Sequence, residues 1–212
     1  MKRIIDGLTK FQNEVYPGQR QLFERLAHAQ SPEALFLTCS DSRIVPDLIT
    51  QTKPGDLFIC RNAGNIAPAY GEVTGGVSAS IEYAVVALEV KDIIVCGHSN
   101  CGAIQGLLHP ERLARMPAVA AWLRNAERAR VVVRENYPHL EGDALVDALI
   151  RENVVAQIEN LRTHPSVASR LRMGQLTLHG WVYDIRTGVV TAWQPETQCF
   201  VPIHEIEPSP AA

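Results

Sequence analysis

The chain has 212 residues, of which 46% are hydrophobic and 20% are charged, and its formal net charge is -3. This length can bury one sizeable core without disulfide or metal staples, which predicts a single domain over 1–212. A weakly acidic chain offers no electrostatic footprint for nucleic acid, and no apolar run is long enough to span a bilayer. We therefore expect neither nucleic acid nor a membrane as a partner.

Apolar residues at helical spacing predict a helical arm over 1–28, with a break at YPGQ, residues 16–19. The segment begins with two basic residues, but Asp6 interrupts its apolar part, so it lacks the core of a signal peptide. The five cysteines are an odd number, which favours reduced thiols over a disulfide framework. Together these features predict a cytoplasmic protein.

Short β-rich runs follow the arm. They begin at residues 34, 56, 92 and 175, with the sequences ALFLTC, DLFICR, DIIVCG and QLTLHGWVYD. The first three are nearly continuous in hydrophobic residues, which is typical of strands covered on both faces of a parallel sheet. Helical periodicity occupies 75–90, 117–136 and 143–164. Because strand and helix alternate, we expect an α/β fold with a mainly parallel sheet and flanking helices.

The C-terminal part differs in pattern from the rest. The stretch LTLHGWVYDIRTGVVTAW is typical of a hairpin around an RTG turn, which adds an antiparallel edge strand to the sheet. Residues 205–212 contain two prolines and are predicted to form a loose tail.

Reactive side chains follow two of the predicted strands. FLTCSDSR places Cys39 at the end of one, and IIVCGHSNCGA places His98 and Cys101 at the end of another. Because ligands of an open α/β sheet gather beyond the carboxyl ends of its strands, these side chains can meet. The spacing of three residues between His98 and Cys101 lets both face one ion. Two thiolates and an imidazole predict a catalytic zinc site with an open fourth position for water.

Asp41 and Arg43 follow the first candidate ligand. Two thiolates donate more charge to zinc than imidazoles do, which makes ionisation of a bound water harder and calls for further help. A carboxylate held by the bidentate guanidinium of Arg43 accepts a hydrogen bond from that water and stays off the metal. The pattern thus predicts Asp41 and Arg43 as catalytic residues, with Asp41 as a fourth metal ligand only in a closed state.

Four motifs together resemble the β-class carbonic anhydrases, including the form associated with bacterial cyanate metabolism: CSDSR at 39–43, RNAGN at 61–65, GGVSASIEYAVVALEV at 75–90 and GHSNCGA at 97–103. The resemblance covers nearly all of the chain. It implies reversible hydration of carbon dioxide to bicarbonate and a proton by zinc-bound hydroxide, on a four-stranded parallel core. It also implies Zn²⁺ on Cys39, His98 and Cys101, and a homo-oligomer whose basic unit is a dimer.

Within that family the resemblance favours the plant-like (type I) group. The other group has a tryptophan three residues before the first zinc cysteine, in an inhibitory bicarbonate pocket, and this chain has Phe36 there. The plant-like group has a glutamine nine residues before that cysteine and a tyrosine fifteen before the histidine, which Gln30 and Tyr83 match. The implied substrate-binding residues, in a small and mostly apolar cleft at the subunit interface, are Gln30, Phe58, Ala63 and Tyr83. In the mechanism that we expect, the backbone amide of Gly102 also binds the substrate, by holding one of its oxygens near the metal.

Two other functions stay open on the sequence. One is hydrolysis of carbonyl sulfide or carbon disulfide at the same metal, which the ligand set does not exclude. The other is a non-catalytic zinc or bicarbonate sensor in which Asp41 caps the metal; an intact Arg43, Gln30 and Tyr83 argue against it. The remaining cysteines, Cys60, Cys96 and Cys199, are predicted to be reduced core thiols.

Overall fold

The computed structural model of the chain describes residues 1–72 and 75–206. Two compact units make up the chain, Met1–Ser31 and Pro32–Ala212. Of the predicted loose tail at 205–212, residues 207–212 lie outside the described part of the chain. Among the described helices, none is both long and apolar enough to cross a membrane.

The first unit is helical nearly throughout. Helix α1 covers Lys2–Lys10, a π-helical turn covers Phe11–Val15, and helix α2 covers Tyr16–Leu26. The predicted break at 16–19 is wrong, because the backbone stays helical through Pro17, which lies in the first turn of α2. Pro17 has no N–H to donate to the preceding turn, and it lies at the junction where the π-helical turn ends and α2 begins.

The second unit is built on one sheet of six strands in the order β2-β1-β3-β4-β5-β6. Neighbours among the first four pair in parallel, and the last two strands pair antiparallel. The mainly parallel core and the C-terminal hairpin are therefore confirmed. The strands are Ala34–Cys39 (β1), Leu57–Asn62 (β2), Asp92–His98 (β3), Thr177–Tyr183 (β4), Val190–Gln194 (β5) and Cys199–Pro202 (β6).

Two details of the sheet differ from the prediction. The sheet extends one strand beyond the hairpin, because β6 covers the edge of β5; its four residues, which include a proline, are too few for a recognisable period. Strand β2 is not covered on both faces within the chain, since it lies at the other edge of the sheet and exposes Ile59 and Arg61. Strands β1 and β3, in the centre, are buried almost completely, as predicted.

Helices flank this sheet. They are Pro46–Thr50 (α3), Gly76–Val86 (α4), Gly102–Leu108 (α5), Pro117–Leu123 (α6), Glu127–Asn136 (α7), Gly142–Arg162 (α8) and Pro165–Arg172 (α9). The helix predicted over 117–136 is divided by a 3₁₀ turn at Arg124–Ala126. The helix predicted over 75–90 ends at Val86, shortly before Glu89, whose backbone is left-handed with φ 53°. Helices α3 and α9 are too short for a periodic pattern to predict them.

Helix α8 lies unusually close to the sheet. A Cβ atom on Gly97 of β3 would lie 2.9 Å from Val154 Cγ2, and one on Gly180 of β4 would lie 2.6 Å from Ile158 Cδ1. Real Cβ atoms almost never approach other atoms so closely, so the two glycines allow this contact. The helix is thereby packed directly beside the carboxyl end of β3, where His98 lies.

Candidate metal centre

The structure brings Cys39, His98 and Cys101 together. Cys39 ends β1, His98 ends the neighbouring parallel strand β3, and Cys101 directly precedes α5. Their potential ligand atoms all lie within 4.8 Å of one another, and all three residues are buried. The predicted meeting of these side chains at the carboxyl edge of the sheet is therefore observed. Whether they can bind a metal ion depends on the orientation, spacing and protonation of these side chains.

The imidazole of His98 is oriented for a ligand. Its Nδ1–H donates a hydrogen bond of 3.0 Å to the backbone carbonyl of Ser99, which leaves Nε2 as the acceptor. That Nε2 is buried and has no hydrogen-bond partner among the described residues. A buried nitrogen lone pair without a partner is costly in a folded protein, and a metal ion removes that cost.

The two sulfur atoms fit the same ion. Cys39 Sγ and Cys101 Sγ are 3.9 Å apart. Two sulfurs at about 2.3 Å from a tetrahedral zinc ion are separated by about 3.8 Å. The donor set of two sulfurs and one nitrogen also matches the preference of zinc for thiolate and imidazole ligands. The residues present therefore fit a zinc ion.

The cysteine pair is prepared to lose a proton. A hydrogen bond shared with Cys101 lowers the pKa of Cys39 to about 4, although burial opposes the change. The same interaction, together with burial, raises the pKa of Cys101 above its usual value. Backbone hydrogen bonds also lower the pKa of Cys39, among them the one from the N–H of Gly64, which lies 3.4 Å from the Cys39 sulfur. The metal-free pair therefore holds one negative charge, which favours the binding of a cation.

Asp41 and Arg43 form the bidentate pair that the sequence predicts. Arg43 Nε donates to Asp41 Oδ1 at 2.9 Å, and Arg43 Nη2 donates to Asp41 Oδ2 at 2.7 Å. These bonds hold the pKa of the Asp41 carboxyl well below its usual value. Asp41 Oδ2 also lies 3.9 Å from His98 Nε2, so the carboxylate borders the three candidate ligands without belonging to that group.

Arg61 is not among the predicted site residues, yet it supports the same loop. Its Nε donates to the Cys39 carbonyl at 3.0 Å, and its Nη2 donates to the Asp41 carbonyl at 2.7 Å. Arg61 is the first residue of the RNAGN motif, but a motif does not show which backbone groups a guanidinium reaches. Arg43 adds a third such contact, from Nη2 to the carbonyl of Asn100 at 3.2 Å.

The structure does not place Phe58 and Tyr83 beside the metal group of their own chain. Their rings contact each other, with centroids 5.9 Å apart. Phe58 is paired with Leu35, whereas Asn62 at the other end of β2 is paired with Cys39. The four residue-to-residue steps from Phe58 to Asn62 correspond to about 13 Å of strand.

The other predicted substrate-binding residues are Ala63, Gly102 and Gln30. Ala63 follows β2 at its metal end, and its carbonyl accepts a hydrogen bond of 2.8 Å from Trp122 Nε1. Gly102 is the first residue of α5, directly after Cys101. Gln30 belongs to the first unit and is exposed.

The cavity beside Arg43 is polar. Its volume is about 500 Å³, and its walls include Arg43, Asn100, Gln105, Asp147, Asp184 and Arg186. Burial raises the pKa of Asp147 in its wall. This cavity does not have the apolar character predicted for a carbon dioxide cleft.

The remaining cysteines divide into two kinds. Cys60 and Cys96 are buried free thiols, as predicted, and burial raises the pKa of Cys96 to about 12. Cys199 is exposed, so its prediction as a core thiol is wrong. Its strand, β6, lies at the edge of the sheet, where a side chain is not covered by a further strand.

Comparisons with known proteins agree with one another. The family model described as carbonic anhydrase matches residues 34–190. A relative from Escherichia coli O157:H7, carbonic anhydrase 1, is 55% identical over 203 residues, which are 96% of this chain and 92% of the relative. The solved structure of the beta-carbonic anhydrase CcaA is 50% identical with a TM-score of 0.94, covering 95% of this chain and 91% of that one.

A further similar structure comes from the ascomycete Sordaria macrospora and is described as one of two tetrameric beta-carbonic anhydrases. It is 29% identical to this chain with a TM-score of 0.82, and the match covers 94% of this chain and 98% of that one. The similarity therefore extends over nearly the whole length of each protein compared.

Proposed function

This chain belongs to the β-carbonic anhydrase family, and from that membership we propose that Cys39, His98 and Cys101 bind a catalytic Zn²⁺ ion with which the chain hydrates carbon dioxide. The products are bicarbonate and a proton, and the reaction is reversible. One observation carries the assignment of the metal: the buried, unpartnered Nε2 of His98 lies within 4.8 Å of two cysteine sulfurs whose separation suits a tetrahedral ion.

Zinc, when bound, supplies a Lewis acid that makes a nucleophile available from water near neutral pH. The chain contributes the orientation of that nucleophile. Asp41, whose carboxylate borders the ligands, accepts a hydrogen bond from the attacking oxygen and directs its lone pair to the carbon of the substrate. Arg43 holds both carboxylate oxygens and so keeps Asp41 from occupying the metal. The backbone amide of Gly102 stabilises the negative charge that develops on a substrate oxygen.

The substrate cleft in this proposal is formed by Gln30, Phe58, Ala63 and Tyr83. Because Phe58 and Tyr83 lie at the end of β2 away from their own metal group, a cleft that includes them draws them from a second copy of the chain. The protein therefore acts as a dimer or a higher homo-oligomer. The description of the Sordaria macrospora relatives as tetrameric supports this part of the proposal.

Neither alternative function is favoured. In the sensor, Asp41 caps the metal, whereas the carboxylate observed is engaged by Arg43 through two side-chain hydrogen bonds. A hydrolase of carbonyl sulfide or carbon disulfide uses the same ligands, but the similar proteins are named carbonic anhydrases.

Two finer assignments belong to the same proposal. Phe36, Gln30 and Tyr83 support the plant-like group of the family, which lacks the inhibitory bicarbonate pocket. The five free cysteines support a reducing compartment, and we place the protein in the cytoplasm on that ground.

The test is stopped-flow hydration of carbon dioxide with a pH indicator, on protein of known zinc content, at neutral and at alkaline pH. Zinc-dependent turnover at both is expected, because Arg43 keeps the fourth position of the metal free. Turnover at alkaline pH alone would show that Asp41 caps the metal at neutral pH. Absence of turnover at both would contradict the proposed activity and would lead to assays with carbonyl sulfide and carbon disulfide.

A further inference from the structure

Helix α8 carries a row of uncharged amides on its buried face. We call Asn153, Gln157 and Asn160 the amide ladder, because they follow one another at helical spacing and bond to each other. Gln157 Nε2 donates to Asn153 Oδ1 at 2.9 Å, and Asn160 Nδ2 donates to Gln157 Oε1 at 3.2 Å. Asn153 and Gln157 are completely buried. Buried amides destabilise a core unless they are bonded, so a complete network of this kind restricts the position of each member.

The amide ladder binds the backbone that follows β2. Asn153 Nδ2 donates to the Gly64 carbonyl at 3.0 Å, and Asn160 Nδ2 donates to the Ala67 carbonyl at 3.0 Å. The Ala67 N–H donates to Gln157 Oε1, also at 3.0 Å. The segment from 64 to 67 therefore lies along α8 and is held by side chains rather than by a strand.

The first residue of that segment contacts a candidate metal ligand. The Gly64 N–H donates to Cys39 Sγ at 3.4 Å, while the carbonyl of the same residue accepts from Asn153. Gly64 and Asn65 have left-handed backbones, with φ 84° and 49°. Glycine and asparagine adopt this conformation more readily than other residues, and the side-chain contacts from α8 hold the segment in it. Asn153 is a suitable holder, since its neighbour Val154 is packed against Gly97 and Gly180 of the sheet.

We propose that Asn153 is a positioning residue for the metal site: by anchoring the Gly64 carbonyl, it aims the Gly64 N–H at the Cys39 sulfur. The inference rests on the proposed function, since it treats Cys39 as a metal ligand. A hydrogen bond to a ligand sulfur withdraws electron density from it and thus reduces the charge that it donates to the ion. Such a bond offsets part of the disadvantage of two thiolate ligands, because a less neutralised ion is the stronger Lewis acid.

The structure provides a matched control for this proposal. Asn153 and Asn160 lie on the same helix, and each donates one hydrogen bond of 3.0 Å to a carbonyl of the same segment. Only the carbonyl bound by Asn153 belongs to the residue that contacts Cys39. Asn153→Leu and Asn160→Leu therefore both remove a ladder amide, but only the first releases Gly64.

The experiment uses the full chain with Co²⁺ in place of zinc and records the near-ultraviolet sulfur-to-cobalt charge-transfer band. In Asn153→Leu the band is expected to move to lower energy, because Cys39 regains electron density. In Asn160→Leu the band is expected to stay where it is in the unsubstituted chain, although thermal unfolding shifts to lower temperature in both variants. The zinc form of Asn153→Leu is expected to lose about 10-fold in kcat at neutral pH and to recover at alkaline pH.

A second variant, Asn153→Ser, tests whether the shift of the band in Asn153→Leu arises only from misfolding. Asn153→Ser is smaller and still polar, but its hydroxyl is too short to take the place of the amide at the Gly64 carbonyl, so its band is expected to move in the same direction. If both Asn153 variants bind cobalt with the unsubstituted band, Asn153 is only a structural residue and the inference is wrong. If the unsubstituted chain itself shows no charge-transfer band, the assignment of Cys39 as a ligand fails instead, which is a failure of the proposed function.

Discussion

The metal group and the Asp41–Arg43 pair adjoin each other but are held in different ways. Cys39, His98 and Cys101 are buried and lie at the ends of central strands or directly before a helix, so the backbone of the fold determines their positions. The Arg43 side chain is 44% exposed and that of Asp41 is 19% exposed, and their geometry depends on hydrogen bonds between side chains two residues apart. The three candidate ligands should therefore keep their positions when Asp41 or Arg43 is replaced. The Asp41–Arg43 pair, in contrast, should lose its geometry when either residue is replaced.

The largest effect is expected from removal of a ligand. Cys101→Ala leaves two of three donors, so the protein should lose zinc and its hydration activity together. Metal content measured by mass spectrometry on the purified chain checks this. Cys96→Ala is the matched control, because Cys96 is also a buried free thiol but does not belong to the metal group, and it should retain zinc. Full zinc content in Cys101→Ala would contradict the ligand assignment.

The second largest effect distinguishes the role of Asp41, as a hydrogen-bond acceptor, from the role of the metal ligands. Asp41→Ala should retain zinc but lose about 100-fold in kcat, because the attacking oxygen loses the acceptor that orients it. Stopped-flow rates on protein of matched zinc content measure this, with Glu82→Ala as a control for loss of an exposed carboxylate. Unchanged turnover in Asp41→Ala would show that the carboxylate has no part in the reaction.

Weakening the contact between Arg43 and Asp41 should reduce turnover by a smaller factor, and the reduction should depend on pH. Arg43→Lys keeps the charge but loses the two-point contact with Asp41, which is then free to approach the metal. Turnover should fall by about 10-fold at neutral pH and less at alkaline pH, where hydroxide competes better with a carboxylate for the ion. An equal loss at both pH values would mean that Arg43 does not keep Asp41 off the metal.

A mixing experiment tests whether one copy completes the site of another. Phe58→Ala removes a cleft residue and Cys101→Ala removes a ligand, and each variant alone should be impaired. Co-expressed, they form mixed oligomers in which the intact metal group of one chain meets the intact Phe58 of the other. Activity should then exceed the mean of the two separate variants. No gain in isolated mixed oligomers would show that Phe58 acts within its own chain.

The smallest effect concerns stability in acid. Arg43 holds the pKa of Asp41 below its usual value of 3.8, so the pair stabilises the folded chain fully above that value and loses this contribution as pH falls through the lowered pKa. Denaturant unfolding of the metal-free chain should show a difference between unsubstituted protein and Arg43→Ala that is constant above about pH 5 and shrinks in stronger acid. If the difference in the free energy of unfolding grew in acid, the Asp41–Arg43 pair would not stabilise the folded chain in the way proposed.

Several elements of the fold follow from local pattern. The strand ALFLTC matches β1 residue for residue, and the alternation of strand and helix correctly predicts the parallel core. Patterns fail where the information is not local. The helical path through Pro17 depends on a π turn, and β6 owes its pairing to the already formed edge of β5. The exposure of Cys199 follows from that edge position, which no property of its neighbours in sequence reveals.

The candidate site divides in the same way. Residue types and their placement after strands are sufficient to predict Cys39, His98 and Cys101 as a ligand set, and the spacing of Asp41 and Arg43 is sufficient to predict their pair, because these relations lie within a few residues of a strand end. Arg61 and Asn153 could not be predicted. Asn153 meets Gly64 across 89 positions of sequence. A contact of that kind exists only after α8 has packed on the sheet.

The sequence by itself therefore determines the chemistry available to this protein: two thiolates, an imidazole, a carboxylate and a guanidinium at the ends of strands. Tertiary structure alone decides how that chemistry is tuned, through the shared proton of the cysteine pair and the N–H of Gly64 directed at Cys39. The physical reason is that chemical identity belongs to single residues, whereas hydrogen-bond direction and burial depend on which distant segments the packed core brings together.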